Sequence, residues 1–275
     1  MPKIGFASIS MTGAPWLDAL RSAVEHRFDA FELCVLYPDS PPDMTADIIS
    51  LVNGIVETSG IELCLHAPFF EHNIAALCPG IREASLESIT KTIDLAEKLR
   101  VKTIVVHNGG YAPPGPPGTS RFDDDRLRKH WDHNIASLKE LVDHATKKGV
   151  ILCLENIGFD PFSIDGTFED MAEIREHVGS ALQFTLDMGH ARLQEGARKA
   201  IDLLGDNIRH IHLTDNFGRR DDHLPLGDGN YDYSQFADFL RGFPHIITME
   251  VVSNGTGPEP MIRARDGFNS LFRQL

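Results

Sequence analysis

Eight short runs rich in Val, Ile and Leu alternate with longer amphipathic stretches, and that alternation narrows the fold of this 275-residue chain more than any other feature. The runs are Lys3–Ser8, Ala30–Val35, Ile61–Ala67, Thr103–Asn108, Ile151–Ile157, Leu182–Met188, Ile208–Asp215 and His245–Val252. Near-continuous apolar runs of this length suit parallel strands buried on both faces. Between them, Ile81–Arg100 repeats apolar residues at helical spacing through Ile81, Leu86, Ile89, Ile93 and Leu99, and Leu127–Lys148 does so through Leu127, Trp131, Ile135, Leu138 and Val142. Thr167, three residues before Asp170, reads as the N-cap of a further helix. Eight strand–helix alternations predict an α/β fold, a single (β/α)8 TIM barrel over residues 1–275, and the length suits one. An open doubly wound sheet is disfavoured, because no GxGxxG turn follows the first strand. The Pro/Gly-rich stretch Gly109–Asp125 interrupts the pattern without breaking the count, and a loop of that length is expected to act as a lid over the barrel mouth.

The chemistry lies at the carboxyl ends of the runs. His66 ends the third and His107 the fourth; Glu155 ends the fifth. Asp187 ends the sixth, with His190 just beyond it, and His212 and Asp215 end the seventh. Asp221 and His223 follow in the next loop, and Glu250 ends the eighth run. Six consecutive strands thus deliver a His, Asp or Glu to the rim on which barrels of this kind build active sites. A single strand histidine is usually a hydrogen-bonded core residue, but Glu155 and Glu250 follow the apolar runs ILCL and IITM, where a carboxylate is costly unless paired or metal-bound. Mixed imidazole and carboxylate ligands without thiolate suit divalent Zn, Mn, Co or Fe. His210 shares the side of His212 one layer deeper, as a packing or supporting residue. His26, His72, His130, His133, His144 and His177 read as solvated or structural.

Composition limits the partners. Forty acidic against 26 basic residues give a formal charge of −14, which argues against non-specific binding of polyanions. The segment MPKIGFASIS lacks the features of a secretory signal, and no apolar stretch is long enough to span a bilayer. Four cysteines without a CxxC pair read as free thiols. Together these features point to a cytoplasmic protein.

The motif set is a His after strand three, LEN after strand five, LDxGH after strand six, HxxD after strand seven, a DxH–PLGDG loop and a terminal Glu. In this it resembles the xylose isomerase-like barrel superfamily, which holds sugar and sugar-phosphate isomerases, ketose 3-epimerases and endonuclease IV. The resemblance runs from Lys3 to beyond Glu250. For the isomerases and epimerases it implies one metal held by Glu155, Asp187, His212 and Glu250, with the two glutamates as acid and base. A metal on the carbonyl and hydroxyl oxygens stabilises the enediolate, while one carboxylate removes the proton and the other returns it from the opposite face. For endonuclease IV the resemblance implies three ions. The first would be held by His66, His107 and Glu155, the second by Glu155, Asp187, His212 and Glu250, and the third by His190, Asp221 and His223.

Three departures separate the chain from the nuclease pattern. Met188–Gly189 stands where that pattern has Thr-Cys, Asn216–Arg220 is a compressed loop, and Phe69–Phe70 stands where a Tyr is expected. Basic residues beside the rim are few, namely Arg192, Arg219 and Arg220, which is thin for a duplex track. The expectation is therefore a metal-dependent isomerase or epimerase of a small sugar, sugar phosphate or related polyol, using one to three divalent ions. The alternative is an endonuclease IV-like phosphodiester hydrolase acting at abasic DNA sites.

Overall fold

Successive residues of a strand point to opposite faces, and here the two faces differ in chemistry. A computed structural model describes residues 2–111, 124–253 and 255–271 of the chain. Its strands are β1 (Lys3–Ala7), β2 (Ala30–Cys34), β3 (Glu62–His66), β4 (Thr103–Val106), β5 (Ile151–Glu155), β6 (Gln183–Asp187), β7 (Ile208–Leu213) and β8 (Ile246–Met249). All pair in parallel in chain order, and β1 pairs with β8 to close the barrel. The outward set includes Phe6, Phe31, Leu33, Leu65, Ile104, Leu154, Phe184, Leu186, Ile211 and Ile247, all buried in one apolar core. The alternate residues face the barrel axis and are mostly small or polar: Gly5, Ala30, Glu32, Cys64, His66, Cys153, Glu155, Thr185, Asp187, His210, His212 and Thr248, with Val105 and Ile246 as apolar members. Both faces are buried, as expected, but only the outer one is uniformly apolar.

The covering helices are α1 (Trp16–Glu25), α2 (Ala46–Ser59), α3 (Pro79–Lys98), α4 (Asp125–Lys147), α5 (Phe168–Val178), α6 (Met188–Gln194), α7 (Ala197–Leu204), α8 (Ala237–Gly242) and α9 (Glu259–Leu271). Local chemistry sets several of their ends. Thr167 caps α5 as expected, and with Asp170 it completes a capping box, each side chain accepting from the other's backbone N–H. Asp124 caps α4, and Pro79 opens α3, where its missing N–H costs nothing. Among the described residues no helix is long and apolar enough to cross a membrane. Cys34, Cys64 and Cys153 are buried free thiols, and Cys78 is an exposed one at the N-cap of α3.

The strands end earlier than the apolar runs do. β4 stops at Val106, β7 at Leu213 and β8 at Met249, so His107 and Glu250 are the first residues past their strands rather than the last within them. The pairing ladder ends where the chains diverge into separate loops, a tertiary event that residue polarity does not mark. The predicted lid, Gly109–Asp125, falls mostly outside the described residues. Its near end is tied down: Gly110 bridges to Ser163, and the Asn73 side chain accepts from Gly110 N–H and donates to Gly110 C=O, both at 3.0 Å.

Candidate metal centre and active site

Three groups of His, Asp and Glu converge at the carboxyl end of the barrel, and within each the ligand atoms lie within 4.8 Å of one another. His66, His107 and Glu155 form the first; Glu155, Asp187, His212 and Glu250 the second; His190, Asp221 and His223 the third. All nine residues singled out from the sequence are thus brought together. Glu155 joins two groups through its two oxygens. Oε2 lies 3.2 Å from His66 Nε2 and 3.0 Å from His107 Nε2, while Oε1 lies 3.1 Å from His212 Nδ1. His212 Nδ1 is also 3.3 Å from Glu250 Oε2 and 3.9 Å from Asp187 Oδ2. In the third group, Asp221 Oδ2 lies 3.1 Å from His190 Nε2 and close to His223 Nε2.

Backbone geometry aims these side chains. Asn156, the last residue of LEN, donates to Asp187 C=O at 3.0 Å and accepts from Asp187 N–H at 2.8 Å, clamping β5 to β6. Asp187 Oδ1 caps α6 by accepting from His190 N–H at 2.7 Å. Gly189 of LDxGH is required sterically, because a Cβ there would stand 2.3 Å from Thr214 Oγ1. His223 is held at φ 46°, a conformation costly for a residue with a side chain, and such strain clusters at functional sites. Asp215, the last residue of HxxD, has a different task. Its carboxylate accepts from the N–H groups of Asn216, Gly227, Gly229 and Tyr231 and so folds the PLGDG loop.

The electrostatics are those of a cation site. Burial would push Glu155 up, but His212 and His107 overcome it and hold the carboxyl well below the usual range. Burial likewise opposes charge on His212, yet Glu250, Glu32 and Glu155 lift its imidazole well above the ordinary value. Against burial, Asp187 and Asp221 help raise His190 to about 10, and Asp221 and Glu250 raise His223 to about 9. Burial lifts Asp187 to about 6. Divalent cations would meet the same negative charge that otherwise recruits protons to these imidazoles. Two further observations fit a metal. Asp187 Oδ2 and Asp221 Oδ1 are buried acceptors without a hydrogen-bond partner, and each belongs to a residue of one of these groups.

The groups floor a cleft of about 820 Å³ whose lining includes Phe69, Phe70, Phe159, Phe162, His72 and Asp160. Phe69 packs against His66 and His107 at centroid distances of 5.0 and 4.8 Å, and Phe159 against His190 at 4.7 Å. Among the described residues the lining contains no Lys or Arg. Arg192 is committed to Asn216 C=O and Asn230 Oδ1, and Arg220 to Asp222. His130 and His133 bond to the carbonyls of Ala75 and Ala76, structural as expected. His72 also lines the cleft, its Nδ1 2.6 Å from Phe70 C=O.

A sequence profile described as xylose isomerase-like TIM barrel matches residues 20–271. The chain belongs to the xylose isomerase-like TIM-barrel family. Within that family it is 27% identical to an uncharacterised protein of Methanocaldococcus jannaschii over 90% of this chain and 83% of that one. It is 25% identical to fructoselysine 3-epimerase of Shigella flexneri over 99% and 98% of the two chains. Archaeal proteins named probable endonuclease 4 also match, at 23–26% identity. A D-tagatose 3-epimerase-like protein of known structure superposes with a TM-score of 0.84 over 99% of this chain and 97% of that one, at 24% identity, a likeness of fold.

Sequence reasoning missed Glu32. It lies inside β2, wholly buried, with Oε1 3.1 Å from His212 Nε2 and Oε2 2.8 Å from His210 Nε2. The signal was available: a carboxylate within the apolar run AFELCV is as costly to bury as one after ILCL. His210 takes the deeper, supporting place expected of it.

A second buried carboxylate lies just outside the groups. Asp165 accepts from Ile157 N–H at 3.1 Å and from the Ser163 hydroxyl, holding the loop that carries Phe159 and Phe162. Burial pushes its carboxyl up to about 7. Between about pH 4 and 7 the folded chain therefore keeps a proton that the unfolded chain has lost. Stability from this group falls as pH rises through that window and is gone above it. Asp165→Asn, which keeps an acceptor for Ile157 and a donor for Ser163, is expected to gain on the order of 2 kcal/mol relative to the parent between pH 5 and 8. Urea unfolding at the two pH values in chelator measures the difference; parallel behaviour of both proteins would exclude a buried neutral Asp165.

Proposed function

We propose that this protein is a divalent-metal-dependent isomerase or epimerase of a sugar-like substrate, with Glu155 and Glu250 as its acid–base pair. The observation that carries this reading is their placement. They come from β5 and from the end of β8 to within 3.1 and 3.3 Å of His212 Nδ1, both lining one cleft. Two carboxylates that meet a substrate from different strands can remove a proton from the carbon beside a carbonyl on one face and return one on the other. Glu155, Asp187, His212 and Glu250 would hold the ion, which when bound polarises the substrate's oxygens and acidifies the carbon between them. Phe69 and Phe159 keep water from the reacting atoms and offer flat faces to the C–H faces of a sugar.

The family relation and the epimerase relatives support an isomerase or epimerase. The cleft is larger than one hexose requires, and the exposed Phe70 and Phe162 at its mouth suit a substrate with a second moiety. Incubation of the metal-loaded protein with ketoses and keto-glycosides in deuterated water tests the reading. Incorporation of deuterium beside the carbonyl is expected. Ligand binding without any exchange across the panel would point instead to a sugar-binding barrel.

One observation favours a second reading. The nine residues group as three complete ligand sets, the pattern that the resemblance to endonuclease IV implies. Against it stand the departures at Phe69–Phe70, Met188–Gly189 and Asn216–Arg220, and a described cleft lining with no Lys or Arg to meet a phosphate backbone. Efficient incision of an oligonucleotide carrying one abasic site would reverse the ranking.

A further inference from the structure

We infer that Glu32 is a positioning residue for the metal centre, fixing the tautomer and orientation of His212 from below. The inference rests on the metal-centred reading proposed above and adds a residue to it. The His212 ring spans two carboxylate environments. Its Nδ1 faces Glu155 Oε1 at 3.1 Å and Glu250 Oε2 at 3.3 Å, while its Nε2 lies 3.1 Å from Glu32 Oε1. An imidazole binds a cation only through a nitrogen with a free lone pair, so a ligating Nδ1 requires the proton on Nε2. An ionised carboxylate is an acceptor only. Placed at Nε2, it selects that tautomer, and the hydrogen bond also makes the ring a better donor to the cation.

The surroundings hold Glu32 in this task. Its Oε2 is the hydrogen-bond partner of His212 Nε2 at 3.2 Å, accepts from the Thr248 hydroxyl at 3.3 Å and lies 2.8 Å from His210 Nε2, while Oε1 stands 3.1 Å from His212 Nε2. The sets come from β2, β7 and β8, so three strands fix one carboxylate. A competing arrangement would make Glu32, His210 and His212 an ion site of their own, since their ligand atoms also lie within 4.8 Å. None of these three residues lines the cleft, whereas Glu155 and Glu250 of the neighbouring group do, so the cleft gives access to that group and not to this one.

Metal affinity separates these roles without reference to turnover. Titration of the purified protein with Mn or Zn should show Glu32→Gln binding about 10- to 100-fold more weakly than the parent at unchanged stoichiometry. Both Glu32 oxygens lie within 3.2 Å of His212 Nε2, so whichever position the Gln amide nitrogen takes, it puts a donor against that ring N–H. Thr248→Val disturbs the same layer but leaves the carboxylate, and should stay within about threefold of the parent. Nitrogen-15 NMR of the unsubstituted, zinc-loaded protein gives a reading independent of any variant's folding: His212 should bind the ion through Nδ1 and keep its proton on Nε2. Ligation through Nε2, an unchanged affinity in folded Glu32→Gln, or the loss of one whole equivalent of metal would each overturn the inference. Weaker binding in Glu32→Gln, together with no deuterium exchange by the parent, would uphold Glu32's role while removing the epimerase reading.

Discussion

Glu155→Gln is expected to lower turnover by at least about 10³-fold while leaving the barrel folded, because acid–base transfer alone is worth about 10²–10⁴ and this residue also serves the metal. Glu155 is the residue through which two ligand groups meet, Oε2 toward His66 and His107 and Oε1 toward His212. Gln fills the same volume with one oxygen and an amide nitrogen. It can neither accept a proton from carbon nor place negative charge at both groups. The fold should tolerate the change, since removing a fully buried charge relieves desolvation as well as losing hydrogen bonds. Steady-state kinetics on metal-replete protein, with circular dichroism as the control, decides the matter. Full activity would remove Glu155 from the mechanism and with it the acid–base pair.

Stripping the metal is expected to have the second largest effect, on stability as well as on activity. Glu155, Asp187, His212 and Glu250 are all buried, and their charges face one another at the barrel mouth. An ion that binds only the folded chain stabilises it by about 4 kcal/mol when present at about a thousand times its Kd. For a chain of this size that corresponds to a rise in Tm of roughly 10 °C. Chelation should therefore lower the Tm by that order and abolish deuterium exchange, and re-addition of one divalent ion should restore both. A melting temperature indifferent to chelator and to added metal would count against the isomerase and nuclease readings alike. The number of ions bound per chain bears on the choice between them. Occupancy of the Glu155–Asp187–His212–Glu250 group alone favours the sugar enzyme, and occupancy of all three groups favours the nuclease.

Much of this arrangement is legible in the residues. A His or carboxylate following an apolar run reports its own exceptional burial, which is why His66, Glu155, Asp187 and Glu250 stand out. Their strand-end positions fall within one or two residues of the observed ones. Glu32 was overlooked because it sits in the middle of β2 instead of at its rim end, although the same desolvation argument applies to it. Asp215 is the converse case. Its place in HxxD is visible, but its engagement with the PLGDG backbone depends on a loop that returns to it twelve to sixteen residues later. Arg192 likewise stands beside the rim in sequence, whereas its guanidinium is held by Asn216 and Asn230 and rests on the Tyr231 ring.

By itself the sequence determined the eight-stranded parallel barrel and the set of metal-binding residue types along its carboxyl rim. Both follow from short-range rules: apolar runs favour strands, period-two alternation assigns faces, and a carboxylate in an apolar setting needs a partner. The tertiary structure decided which of those residues meet. Glu32 and His212 are 180 positions apart and share a hydrogen bond only because barrel closure brings β2 and β7 to face each other across the axis. Period and polarity fix the direction in which a side chain points, while the closed register of eight strands fixes what it finds there.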